Sequence, residues 1–293
     1  MPEGRGPSVG LMLPTVADLD TGVVDPARML AAARTAEAAG SDGVYVGDHL
    51  LHPHPILESI VSLSAVAAVT ERVSLGPLVL LAGLRQPLVL AKQLGTLAAL
   101  APGRLRVGMG VGGEYPTEFE AAGVPLAERG RRLESVVGEV RALLTGDGVR
   151  PAAPDVPLLL GGHHRRALQR AAELADGWIG YLLRPDGFAG RRAFLAELGV
   201  TDRFTTGMLV PVHLSDSSRA EEEAAAAWGR LTDSSSLPGG VFAAGTPQQV
   251  ADRLHEYRDA GCTELVLGPA EQGSGYAAQL DRIATDVLPL LRA

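Results

Sequence analysis

Three short clusters in this chain carry side chains able to do chemistry near neutral pH. The first is Asp48-His49, directly after a short apolar run. Imidazole titrates near neutrality, so His49 can serve as general acid or base, or donate to a ring carbonyl. An isolated histidine is more often a structural group bonded to a backbone carbonyl. The Asp48 neighbour, and the place at the end of an apolar run, turn the reading toward function. The second cluster is Gly110-Val111-Gly112-Gly113-Glu114-Tyr115. Its glycines let backbone approach a flat ligand or turn sharply. Glu114 can exchange a proton or anchor a hydroxyl, although a solvated loop carboxylate would look the same. The glycine spacing is not that of a dinucleotide-binding turn. The third cluster is Gly161-Gly162-His163-His164-Arg165-Arg166. It opens a helical segment whose free backbone N–H groups suit an anion. Cations in a first helical turn are normally disfavoured, so Arg165 and Arg166 are easier to explain beside a phosphate; two solvated arginines are the plainer alternative. His163 and His164 are adjacent, not a turn apart, and nothing completes a metal site around them. The lone cysteine, Cys262, can form no internal disulfide and reads as a small packing residue.

The elements that would position these clusters alternate from end to end. Apolar runs at Ser8–Leu13, Gly43–Val46, Val73–Leu80, Leu105–Val111, Pro157–Leu160, Gly177–Tyr181, Thr206–Val212 and Glu264–Leu267 read as strands. Several are continuously apolar, as strands buried on both faces must be. Between them lie helical patterns. Asp25-Pro26 opens one that Gly40 closes, and Gln86-Pro87 opens another. Further helices are expected over Ile56–Thr70, Leu126–Leu144, Pro185–Leu198, Arg219–Leu231, Pro247–Ala260 and Tyr276–Leu291, with Thr246 as the N-cap of the Pro247 helix. Eight βα units in one chain favour a closed (β/α)₈ TIM barrel, a single α/β domain over residues 1–293. In such a barrel the three clusters, each just after a strand, share one mouth. Thr232–Gly240, rich in Ser, Gly and Pro, reads as a mobile loop near strand seven.

Composition narrows the partners. The net charge of −8 over 293 residues argues against nucleic acid. The longest apolar stretch, Pro77–Leu84, is far shorter than the ~20 residues a membrane span needs, and the short polar N-terminus holds no signal-peptide core. A cytoplasmic protein, without membrane or resident metal, is expected.

Several segments resemble the bacterial luciferase-like superfamily. They are Thr35–His49 (TAEAAGSDGVYVGDH), Thr70–Leu100, Pro102–Arg132 (PGRLRVGMGVGGEYPTEFEAAGVPLAERGRR), Leu158–Ile179 (LLLGGHHRRALQRAAELADGWI) and Gly245–Leu267. The resemblance implies a (β/α)₈ barrel, usually a homodimer, that binds FMN or the deazaflavin coenzyme F420. It implies cofactor contacts from Asp48 and His49, with His49 near the transferred hydride. It implies a non-prolyl cis peptide behind the central ring, matching Leu78–Val79, and a carboxylate after strand four, matching Glu114. It implies a phosphate site at Gly161, Gly162, His163, Arg165 and Arg166, while Gly112 and Gly113 are cofactor candidates from the glycine run itself. Against the family pattern, the segment Gly148–Pro157 is short, which should open one rim of the site. Leu50, Leu51 and His52 stand where an aromatic often follows the Asp-His pair.

The leading expectation is an F420-dependent oxidoreductase acting on a small organic substrate, with His49 and Glu114 handling protons. The alternative is an FMN-dependent monooxygenase fed by a separate flavin reductase and O₂. A non-redox barrel, either a lyase or a flavin-storage protein, is the reading from another class.

Overall fold

A computed structural model describes residues 6–146, 148–232 and 239–292. Its strands are β1 (Ser8–Met12), β2 (Gly43–Val46), β3 (Ser74–Pro77), β4 (Val107–Met109), β5 (Leu158–Gly161), β6 (Gly177–Tyr181), β7 (Thr205–Leu214), β8 (Ala243–Gly245) and β9 (Glu264–Pro269). They pair in the order β3-β2-β1-β9-β7-β6-β5-β4, and every pair is parallel. The short β8 extends the end of β7 outside that path. Parallel bridges Leu75–Leu105 and Leu80–Met109 join β3 to β4 and close the ring.

The helices on the outside are α1 (Pro26–Ala38), α2 (Ser59–Ala67), α3 (Pro87–Leu100), α4 (Pro116–Ala121), α5 (Arg129–Thr145) and α6 (Arg165–Leu174). They continue with α7 (Pro185–Glu197), α8 (Ala220–Thr232), α9 (Pro247–Asp259), α10 (Tyr276–Arg282) and α11 (Leu288–Arg292). The sequence signals for their starts hold. Asp25 caps α1 through Ala27 N–H, and Gln86 caps α3 through Val89 N–H. Thr246 and Gln249 form a reciprocal capping box on α9.

The differences from expectation are local. The third and fourth strands keep only four and three residues of ladder, and the cis Leu78–Val79 bond lies between the two bridges that join them. The helix expected from Ile56 starts at Ser59, where Glu58 accepts from Val61 N–H. The last helix is interrupted by a wider π-turn over Ile283–Val287. The loop reading of Thr232–Gly240 falls largely on 233–238, outside the described residues. Gly148–Pro157 precedes β5, so it lies at the end of the barrel opposite the strand C-termini and lines no part of the mouth. Its brevity therefore does not open a rim of the site.

The seam between β3 and β4 depends on one glycine. A Cβ on Gly76 would stand 1.6 Å from the Arg106 carbonyl oxygen, so no other residue lets the two strands meet. Inside the barrel, side chains fill the ring in tiers. Near the strand N-termini, Tyr45 donates to the buried Glu264, which also takes a hydrogen bond from Arg106 at 2.7 Å. Burial, reinforced by the Glu264 charge, pushes the Tyr45 phenol up, so it stays protonated. Above this polar plug, Leu78, Leu159, Ile179, Leu209 and Val266 form an apolar tier. Cys262 is buried and points at the Glu264 carbonyl, with burial pushing its thiol up to about 12. Among the described residues no helix is long and apolar enough to cross a membrane.

Candidate active site

The apolar tier is the floor of a 410 Å³ cavity at the C-terminal ends of the strands. His49 reaches it from the end of β2. Its Nδ1 lies 3.0 Å from Oε1 of Glu118, and its Nε2 lies 3.8 Å from Oε2 of Glu114. An ionised carboxylate can only accept, so Nδ1 carries the proton toward Glu118. Nε2 then faces the cavity as acceptor when the ring is neutral and as donor when it is charged.

Glu118 is a residue of this site that sequence reasoning missed. It sits on α4, and its carboxylate is fully buried. Besides His49 it accepts the backbone N–H groups of Leu50 at 2.6 Å and Leu51 at 3.2 Å. Burial alone would raise its pKa, but the His49 and backbone hydrogen bonds together outweigh that and hold the carboxyl below its usual value. One side chain thus ties the loop after β2 to the loop after β4. The sequence signal was slight: Tyr115-Pro116 opens a helix, and a charged residue one turn in resembles an ordinary first-turn acid.

Asp48 lines the cavity, but its oxygens are spent on the protein. Arg85 binds it through both guanidinium nitrogens, at 2.7 and 2.8 Å. Leu81 N–H and Ser59 Oγ complete its set at 2.8 and 2.9 Å. What Asp48 offers the site is the placement of its neighbours: it braces the turn after β2 against the turn after β3 and the start of α2. Arg85, also unnoticed in the sequence, is held in turn by Glu58 at 3.1 Å.

A face for a flat ligand is built by what is missing. A Cβ on Gly110 would sit 2.4 Å from Val79, and one on Gly108 would sit 2.4 Å from Leu78. Bare β4 backbone therefore lets the Leu78–Val79 turn come forward as an apolar shelf. Gly112 and Gly161 line the same cavity. Gly47 opens directly into space, with nothing within 4 Å of where its Cβ would stand. Gly162, at φ 128°, turns the chain into α6, whose N-cap His164 supplies no side-chain bond. Trp178 Nε1 pins the turn by donating to the Gly162 carbonyl at 2.8 Å. His163 lines the cavity half-buried, and burial followed by the Arg191 charge lowers its pKa.

The structure brings Asp48, His49, Leu78, Val79, Gly112, Glu114, Gly161, Gly162 and His163 to this one mouth. Gly113, Arg165 and Arg166 do not line it. Gly113 turns at φ 115° against Arg129. Arg165 stacks over Phe194 of α7 at 4.0 Å, and Arg166 pairs with Glu134 of α5 at 3.2 Å. The two arginines have partners on the flanking helices α7 and α5. Among the described residues no group of three or more His, Cys, Asp or Glu is arranged to hold a metal.

Comparison with known proteins agrees with this architecture. An uncharacterised protein of Mycobacterium tuberculosis is 35% identical over 184 residues, 50% of this chain, and the match spans only 62% of that relative's own length. The F420-dependent glucose-6-phosphate dehydrogenase of Beutenbergia cavernae is 30% identical over 330 residues, covering 92% of this chain and 94% of that enzyme. Among solved structures, an F420-dependent secondary alcohol dehydrogenase in complex with an F420–acetone adduct superposes with a TM-score of 0.82 at 16% identity, covering 99% of this chain and 100% of that one; this likeness speaks to the fold. Residues 8–240 match the luciferase-like monooxygenase family. With a closed parallel barrel, a cavity at its strand C-termini and that match over most of its length, the chain belongs to the luciferase-like monooxygenase family.

Proposed function

We propose that this protein is an oxidoreductase that holds coenzyme F420 and moves a hydride between it and a small organic substrate. The observation that carries the reading is one arrangement: an apolar shelf facing bare strand ends, beside an imidazole oriented by a buried carboxylate. The F420-dependent relative that aligns over 92% of this chain supports the choice of cofactor.

The residues present fit a flat tricyclic ring with an anionic tail. The 410 Å³ cavity falls within the ~300–1,000 Å³ typical of small-molecule sites. Leu78 and Val79 would back the ring. The tail would run to Gly161-Gly162 and the uncapped start of α6, where backbone N–H groups and the helix dipole favour an anion. When bound, the deazaflavin supplies a two-electron hydride acceptor or donor. The chain's own part is proton handling and exclusion of water. His49 Nε2 takes the proton of a substrate hydroxyl, or returns it to a carbonyl. Glu118 keeps the ring turned so that Nε2, not Nδ1, meets the substrate. Glu114, 63% exposed and 3.8 Å from Nε2, leads the proton on to solvent.

Titrating the purified protein with F420 and with FMN tests the cofactor. F420 is expected to bind more tightly. Tighter binding of FMN overturns the proposal and moves the protein to the reduced-flavin monooxygenases. Tight F420 binding with no oxidation or reduction of the cofactor by any alcohol or ketone would instead mark a storage protein.

A further inference from the structure

The cavity has two unlike halves. The strand ends of β4, β5 and β6 present glycines and the Leu78–Val79 shelf, already assigned to the cofactor. The opposite wall comes from the loops after β1, β2 and β9 and from α8. It is formed by Leu13, Val16, Ile56, Trp228 and Leu231, with Thr15, His52, Thr232 and Gln272 among its polar members. No lysine or arginine lines any part of the cavity among the described residues.

The arginines that belong to this rim are committed elsewhere. Arg28 binds Asp18 at 3.0 Å and the Gly273 carbonyl at 2.8 Å. Arg230 binds Asp20 at 2.7 Å and the Leu19 carbonyl at 3.1 Å. Burial lowers both His52 and His163, which favours the neutral forms of these two. Glu114 meanwhile adds a carboxylate at the mouth. A phosphate or carboxylate on the substrate would lose water here and gain no cation, against the field of Glu114.

We propose that the substrate is an uncharged small molecule with an apolar body, carrying one carbinol or carbonyl group that reacts at His49, and that anionic substrates such as sugar phosphates are excluded. This rests on the hydride-transfer reading above. In the oxidative direction the carbinol C–H bond breaks with its electron pair passing to the deazaflavin, the O–H proton passes to His49 Nε2, and the C=O bond forms. The substrate loses two electrons and the cofactor gains them. The apolar wall holds the body of the molecule, and size and shape set the choice among neutral substrates.

The test is a matched pair: a seven-carbon methyl ketone, and the keto acid in which its far methyl is replaced by carboxylate. Each is titrated calorimetrically into protein loaded with oxidised F420, which cannot reduce a ketone, so binding is read without turnover. The F420 affinity is measured on the same sample. The ketone is expected to bind about tenfold or more tighter than the keto acid. Equal or tighter binding of the keto acid overturns the proposal, and so does F420 binding with no uptake of the ketone. If F420 itself fails to bind, the cofactor reading falls separately. The same pair titrated into cofactor-free protein then decides the preference of the wall, by the same criterion.

Discussion

His49 offers one nitrogen to a buried carboxylate and the other to the cavity, and the proposed function gives it proton transfer and not cofactor anchoring. His49→Ala should therefore lower kcat by about a hundredfold or more, while the F420 dissociation constant moves by no more than about threefold. Collapse of F420 binding would make His49 an anchor instead. Glu118 gives a second prediction, in stability. Its folded-state pKa is depressed, so it stays ionised in the native protein where the unfolded chain would already be protonated. The stabilisation is complete above the unfolded value of 4.5 and is lost as pH falls through the folded one. Glu118→Gln should therefore be less stable than the parent at pH 7, and the gap in urea midpoints should narrow below the unfolded value. A gap that does not change with pH would show that the carboxylate charge is not what stabilises. The position of Asp48, His49 and Glu114 at the mouth was legible in the sequence because they follow strand ends. Glu118 was not, because its role depends on where α4 docks, and six residues carry too little periodicity to reveal a buried face.

At the scale of elements, strands that run apolar between turn residues could be read directly: β2 and β6 match their expected limits, and the cap residues set the starts of α1, α3 and α9. What stayed hidden were short pieces whose existence depends on neighbours, namely β8, α4 and the 3₁₀ turn Ala82–Leu84. The fates of Arg165 and Arg166 were hidden for the same reason, since Phe194 and Glu134 lie on other helices. Two glycines at strand ends should behave in opposite ways. Gly76→Ala drives a methyl into the Arg106 carbonyl at the β3–β4 seam and should cost about 3 kcal/mol or prevent folding. Gly47→Ala meets open space and should change stability by less than about 1 kcal/mol. Its methyl enters the cavity, so its effect belongs in ligand affinity. Urea unfolding of the pair checks this; equal destabilisation would show that the seam is not where the barrel is most tightly constrained.

For the whole molecule, the outward row of α2 is apolar where solvent would call for polar groups. Val61 is 70% exposed, and Val89 and Leu88 at the start of the adjoining α3 are 55% and 50% exposed. A helix without a polar face wants a partner. We expect a homodimer joined through α2 and α3, with light scattering reading twice the 30.4 kDa chain mass. The Val61→Asp/Val89→Asp double variant should sediment as a folded monomer; an unchanged dimer would place the interface elsewhere. The barrel as a whole was legible because eight βα units leave few topologies open. The convergence of three distant clusters on one mouth follows from closure of the ring, which no local pattern states. That convergence is tested most directly by a crystal structure of the protein bound to F420. The tricyclic ring should lie on the Leu78–Val79 shelf within contact of His49, with its phosphorylated tail beside Gly162. A ring bound outside this cavity, or turned so that His49 meets the tail, would contradict the account.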